Sequence, residues 1–287
     1  MTVGIRSGAR RDVKGQIFRL ALLLSIGFAL VTLGVLLFDI ARRGLGSVDA
    51  QLLTSGPSAR PQRAGAEPAI LATVYLGVLV LLLSVPLGVA TAVYLEEYAH
   101  KERWYNRLLE LNIQNLAAVP SIVYGILGLA FLVRGLSLGR VLMAGALILT
   151  LLVLPTVIIA AREAIRAVPD SIRQGAYALG ATRGQVVARQ VLPAAIPGIA
   201  TGTILAVSRA VGETAPLLLV GALTFVPFNP TLFGEFTALP VQIYNWTKAP
   251  QEEFKVLAAG AIIILLGLLL LLNASAIWLR NKYQKRW

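Results

Sequence analysis

Six long apolar runs dominate the chain: Ile17–Phe38, Ala69–Leu95, Ile113–Val133, Val141–Ala161, Ala194–Ala222 and Val256–Leu279. A helix needs about 20 mostly apolar residues to cross a hydrocarbon core of about 30 Å. The pattern predicts an all-α, polytopic membrane protein with six transmembrane helices. The first run is too long for a signal-peptide core, and no small-x-small cleavage site follows Asp39, so it is expected to remain as a membrane anchor. The segment Ser47–Pro68 is rich in Gly, Pro, Ser and Ala and reads as a loose loop.

Composition agrees. Of 287 residues 57% are hydrophobic and 14% charged, with mean hydropathy +0.75, against about a quarter charged in soluble domains. Cysteine is absent and His100 is the only histidine, which excludes disulfides and thiolate metal sites and leaves little for His-based chemistry. The formal net charge of +12 is not read as nucleic-acid binding, because no basic face carries interleaved aromatics. It fits cytoplasmic loops and anionic lipid heads.

The cations also orient the chain. With the N-terminus inside, seventeen of the 26 Lys and Arg residues lie on the inner side, eight outside, and Arg209 lies within a run. The inner set is Arg6, Arg10, Arg11, Lys14, Arg19, Lys101, Arg103, Arg107, Arg162, Arg166, Arg173, Arg183, Arg189, Arg280, Lys282, Lys285 and Arg286. Both termini are therefore expected in the cytoplasm. The outer segment Leu223–Phe254 carries Phe225, Phe228, Phe233, Phe236, Tyr244 and Trp246, which fits either a docking surface for an external partner or an interfacial aromatic belt.

Runs two to five contain Pro86, Pro120, Pro155 and Pro216, while runs one and six contain none. Proline deletes a backbone hydrogen bond and kinks a helix. Four kinked middle helices around a pathway, flanked by two scaffold helices, is one reading; proline's general frequency in membrane helices is the other.

The run Ser208-Arg209-Ala210-Val211-Gly212-Glu213-Thr214 places charge in an apolar stretch. A charge at a helix centre costs about 2.5–3.5 kcal/mol on insertion scales, so it faces protein or a watery cavity. Arg209 and Glu213, four apart, share a helix face, with Ser208 and Gly212 beside them. They could form an internal pair that holds helices in register. Alternatively, the Arg209 fork could receive a passing oxyanion, with Glu213 setting its rotamer, keeping anions from binding too tightly to leave, or accepting a hydrogen bond from an oxyanion that still bears a proton, as hydrogen phosphate does and sulfate does not.

Residues 162–193 are too long for a simple inner connection. Pro169-Asp170-Ser171 predicts a helix start, with Ser171 and Gln174 as a capping box; Ile172, Ala176 and Leu179 share one face. Gly180 suits a helix end, and Thr182 with Gln185 predicts a second box before a second short helix ending at Leu192-Pro193. The product is a two-helix knob suited to another protein's groove, or an amphipathic helix on the bilayer surface.

This loop resembles the cytoplasmic loop of ABC importer permeases, whose pattern is Glu-Ala-Ala, three residues, Gly, nine residues, Ile, one residue, Leu-Pro. Ala176, Gly180, Leu192 and Pro193 match, whereas Gln174, Gly175 and Gln190 depart from it. Ala118-Val119-Pro120-Ser121-Ile122-Val123-Tyr124-Gly125 and Arg209–Pro216 are similar to segments of phosphate permeases of the PstA type. The resemblance spans roughly Ala69 to Trp287 and implies a type I ABC importer permease fold in the inner membrane. It implies residues 1–68 as tail, first helix and external loop, and 69–287 as a five-helix core. It further implies a second permease (PstC type), a pair of ATPase subunits (PstB type), an external phosphate-binding protein (PstS type), and no cofactor. On it, Ser121, Tyr124, Ser208, Arg209 and Glu213 are expected along the substrate pathway. Gln174, Gly175, Ala176, Tyr177, Leu179, Gly180, Ala181, Leu192 and Pro193 are expected at the ATPase.

No G-x-x-x-x-G-K-[ST] loop is present, so ATP hydrolysis would fall to another chain, and no nucleophile–base pair in the runs suggests an enzyme. The expected function is phosphate import by alternating access. Rivals are the same architecture for sulfate, molybdate or a phosphonate, an ion-coupled secondary transporter, and a phosphate-sensing scaffold.

Overall fold

In a computed structural model, residues 13–100, 102–222 and 225–283 are described, and among them every regular element is helical. Arg6, Arg10, Arg11, Lys101, Lys285 and Arg286, counted above for orientation, and Leu223 at the start of the outer segment lie outside the described residues. The helices are α1 (Val13–Gly44), α2 (Ala50–Thr54), α3 (Glu67–Val93), α4 (Trp104–Ala117), α5 (Ser121–Gly128), α6 (Leu142–Arg166), α7 (Asp170–Ala178), α8 (Arg183–Val186), α9 (Leu192–Gly212), α10 (Ala215–Val220), α11 (Leu239–Lys248) and α12 (Glu252–Tyr283). Five helical stretches are long and apolar enough to cross a membrane, and a bent pair supplies a sixth.

That bent pair corrects the third expected run. Ile113–Val133 is not one helix: α4 stops at Ala117, and the path turns by 104° into α5 and the π-helical turn Leu129–Gly135. Pro120 is the cause, because it has no N–H for the carbonyl of Leu116 and its ring opposes a continuing helix. The fifth run is broken likewise. Pro216 would clash with the carbonyl of Gly212 in a continuous helix, so α9 ends at Gly212, Glu213 is extended (ψ 128°), and α10 starts afresh. Pro86 and Pro155 instead lie inside α3 and α6.

The core gathers α3, α6, α9, α5 and α10 around Leu76, Val80, Leu149, Val153, Ala210 and Leu217. Between helices in lipid, small residues permit the close backbone approach that packing needs. A Cβ at Gly202 would lie 2.2 Å from the Cβ of Ala160, and one at Gly198 would lie 2.7 Å from that of Ala164. This Gly-x-x-x-Gly against Ala-x-x-x-Ala seam joins α9 to α6. The outer aromatics divide: Phe236, Trp246 and Phe254 are buried, Phe236 plugging the end of α6 against Gly145, while Phe225, Phe228, Phe233 and Tyr244 are exposed. By contrast α1 stands apart, held to α12 near Gly44, where an added Cβ would strike the backbone of Ala259 at 2.5 Å.

Candidate functional site

Two places concentrate chemistry. At the break after α9, Arg209 lies in the last helical turn, where the negative end of the helix dipole favours a cation. Its Nε lies 3.3 Å from Glu213 Oε1, with side-chain exposures of 54% and 17%. The guanidinium is thus half open and Glu213 largely enclosed, so one carboxylate holds the Arg rotamer without covering the fork. Ser208 points elsewhere, its hydroxyl donating to Asn273 on α12. Tyr124 is buried, and its hydroxyl donates to the Leu116 carbonyl at 2.9 Å, the oxygen that Pro120 leaves without its helical partner. Ser121 opens α5, half-buried, after Pro120. α5 meets α10 where Gly125 abuts Pro216, a Cβ there lying 2.8 Å from the proline Cα. The two proline breaks are therefore neighbours, although Ser208 and Tyr124 spend their hydroxyls on the protein itself.

At the other end of the bundle, residues 162–193 form the knob. α7 runs from Asp170 to Ala178 with Pro169 as its N-cap, so the expected Ser171–Gln174 box does not form; the Pro169 backbone already starts the helix. The Thr182–Gln185 box does form. Gly180 adopts φ +79°, and the amides of Gly180 and Ala181 close the helix end on Tyr177 and Ala176. Ile172, Ala176 and Ala181 pack on Ile165, Val168 and Val186, but Leu179 does not share that face. It stands at the C-cap, past the last regular turn, 91% exposed, with Tyr177 at 44%. Gly175 and Gly180 have no neighbour within 4 Å of a would-be Cβ, so this tip of the knob is open.

The second short helix is not separate. α8, a π turn at Val187–Val191 and α9 run on as one stretch, Arg183–Gly212. Leu192 and Pro193, expected at the loop's end, sit within it. The rise of about 1.5 Å per residue puts Arg209 roughly 39 Å from Arg183 along a single rod.

Sequence reasoning missed the clamp beneath the knob. A π turn, Tyr94–Tyr98, ends α3 and carries Glu96 and Glu97, both nearly buried. Arg162 of α6 donates from Nε to Glu96 at 2.9 Å and from Nη2 to Glu110 of α4 at 2.7 Å, and Arg166 adds Nη2 to Glu96 at 2.8 Å. Arg173 of α7 donates to Glu97 from Nη2 at 2.9 Å and to the carbonyls of Val168 and Ile165 at 2.6 and 2.9 Å. Arg162, Arg166 and Arg173 had served only to orient the chain, and the three glutamates had no part in the sequence reading. The signal available was the acidic doublet at the end of an apolar run, where cations are the rule. Among the described residues no group of three His, Cys, Asp or Glu side chains could hold a metal ion.

Residues 84–286 match the family described as the binding-protein-dependent transport system inner membrane component. The chain belongs to this family. The permease is 32% identical to the phosphate transport system permease protein PstA 1 of Mycobacterium tuberculosis over 94% of this chain and 90% of that protein. It is 31% identical to PstA of Yersinia pestis over 92% and 91%. Among solved structures it resembles a bacterial ABC transporter involved in the import of the polysaccharide alginate, with TM-score 0.66 and 17% identity, over 95% of this chain and 97% of that one. An inward-facing MetNI methionine transporter matches with TM-score 0.60 and 18% identity, over 75% and 92%. The permease thus has the type I ABC importer fold and is a multi-pass membrane protein.

Proposed function

We propose that the permease is the PstA-type subunit of an ATP-driven phosphate importer. The observation that carries the substrate class is Arg209: a permanently charged fork, half open, held from one side by Glu213 at a helix break within apolar surroundings. The relatives named as phosphate permeases over more than nine-tenths of the chain support the same reading. Its partners would be a PstC-type permease, a PstB-type ATPase pair that hydrolyses ATP in its place, and a PstS-type external binding protein. The termini and the knob face the cytoplasm on this reading, and the tip at Tyr177, Leu179 and Gly180 seats in the ATPase.

Alternating access follows from the mechanics. Closure of the ATPase pair displaces the knob, the rod Arg183–Gly212 carries that displacement to Arg209, and the breaks at Pro120 and Pro216 are the places where helices can swing. ATP and loaded binding protein must each prefer the state that rest disfavours, since a ligand shifts an equilibrium only through differential affinity.

The test is uptake of labelled phosphate by vesicles holding the four-component importer. Arg209→Gln should lower the import rate at least tenfold, with Arg209→Lys intermediate; full-speed import by Arg209→Gln would overturn the reading. Competition with sulfate in Glu213→Gln reads the carboxylate's part, which predicts a weakened preference for phosphate.

A further inference from the structure

A groove of about 370 Å³ opens on the side of the bundle between α3, α9 and α12, away from the knob. Its walls are largely apolar: Leu81, Ile204, Val207, Leu272 and Ala276. At one end the Ser208–Asn273 hydrogen bond closes it. At the other stands Trp278, with Lys282 Nζ 5.2 Å above its ring and Arg280 Nη1 donating to Thr201 Oγ1 at 2.9 Å. Neither Arg280 nor Lys282 has a carboxylate partner among the described residues. The distance along α12 from Asn273 to Arg280 is about 10 Å, which lies within one leaflet of a hydrocarbon core about 30 Å thick.

We propose that this groove holds an acyl chain of an anionic phospholipid, whose phosphate is bound by Arg280 and Lys282. Two observations agree on the occupant. The walls offer an acyl chain dispersion contacts and offer a peptide backbone almost no hydrogen-bonding partner. Arg280 and Lys282 stand at the Trp278 end of the groove, with Trp278 at the level favoured by interfacial aromatics, so the headgroup end is fixed. Thr203 also lines the groove, nine-tenths buried, and its hydroxyl has no partner among the described residues. The site is independent of the substrate assigned to Arg209.

The experiment is to incorporate the assembled importer into nanodiscs of equal parts phosphatidylglycerol and phosphatidylcholine, extract it in mild detergent, and count retained lipids by native mass spectrometry. Wild type should retain phosphatidylglycerol over phosphatidylcholine by about 25-fold, from about fivefold for each cation near an anionic headgroup. Arg280→Gln with Lys282→Gln should abolish that preference while the complex stays assembled. Ala276→Phe, which fills the groove and keeps both cations, should lower retention of both lipids. Unchanged phosphatidylglycerol retention in the double variant, or in Ala276→Phe, would overturn the proposal. So would a Ser275→Cys variant that cross-links to the second permease, because the groove would then be a subunit interface.

Discussion

Arg173 is where the knob is fastened, and Arg173→Met should loosen it. The guanidinium contacts Glu97 and two carbonyls at the end of α6, with side-chain exposures of 16% for Arg173 and 8% for Glu97. Among the described residues Arg173 is the only ion-pair partner of Glu97. Removing one member of a fully buried pair costs about 3–5 kcal/mol, because the remaining charge is stranded. Each lost hydrogen bond to a helix-end carbonyl adds about 1 kcal/mol. This pair is not fully buried, so its own loss falls below that range, about 1 kcal/mol, and with the two carbonyl bonds the total is about 3 kcal/mol. At about 1.4 kcal/mol per factor of ten, the undocked loop should become roughly 100-fold more populated. Hydrogen exchange of peptides covering 170–181 reads this directly: their amides should exchange about 100-fold faster, with peptides of α12 unchanged. In vesicles, ATP hydrolysis should persist while phosphate import per ATP falls. Adding Glu97→Gln should recover part of the protection, since the stranded charge is then absent. If exchange is unaffected by Arg173→Met, or the double variant recovers nothing, the clamp does not hold the knob.

Three further outcomes are expected. Gly202→Leu should lower the melting temperature of the purified permease by several degrees, since its Cβ would lie 2.2 Å from that of Ala160 and overpacking costs about 1–3 kcal/mol; Gly27→Leu, with nothing within 4 Å, is the control that should melt like wild type. Leu179→Asp, at a position 91% exposed, should change stability by less than about 0.5 kcal/mol yet reduce co-purification of the ATPase at least tenfold. Tyr124→Phe should cost about 1 kcal/mol through the lost bond to Leu116 and leave the KM for phosphate unchanged; a raised KM with intact stability would instead put the hydroxyl on the substrate.

Hydropathy located the membrane-crossing material because an apolar run of bilayer length has few other uses, but it could not locate the breaks within it. Ile113–Val133 read as continuous since Ala117–Pro120 differs little in polarity from its surroundings, and in Ala194–Ala222 the charge at Arg209 and Glu213 was read as a site on an unbroken helix rather than as a break. The interruption is steric, lodged in one missing N–H at each proline. The same proline logic was available in the sequence, yet Pro86 and Pro155 sit within unbroken helices, so the residue alone does not decide; what surrounds the freed carbonyl does, as Tyr124 shows at Leu116. The knob was legible in its turn chemistry, Gly180 and the Thr182–Gln185 box, because those rest on local backbone geometry. Leu179 was misplaced because helical spacing was extended one residue past Ala178, where the chain leaves the helix. The Glu96, Glu97, Arg162 and Arg173 clamp joins residues more than sixty positions apart, which no local pattern reveals.

The position of the clamp bears on how force could reach Arg209. A knob tied only to the rod Arg183–Gly212 would move that rod alone. A knob tied also to α3 through Glu97, beside α6 and α4 through Glu96 and Glu110, must move three further helices with it or break buried ion pairs. Breaking them is costly, so the knob-side ends of α3, α4, α6 and α7 should travel as one body, and the give must lie elsewhere. The candidates are the junctions that lack regular hydrogen bonding: Ala118–Pro120 between α4 and α5, and Glu213–Thr214 between α9 and α10. Glu213–Thr214 adjoins Arg209 in the chain, and Ala118–Pro120 leads into α5, which packs on α10 where Gly125 meets Pro216. On this geometry, and on the function proposed above, a displacement at Leu179 should not be absorbed where it enters but should reach the half-open Arg209 guanidinium, where a change of a few ångströms would alter what an anion meets.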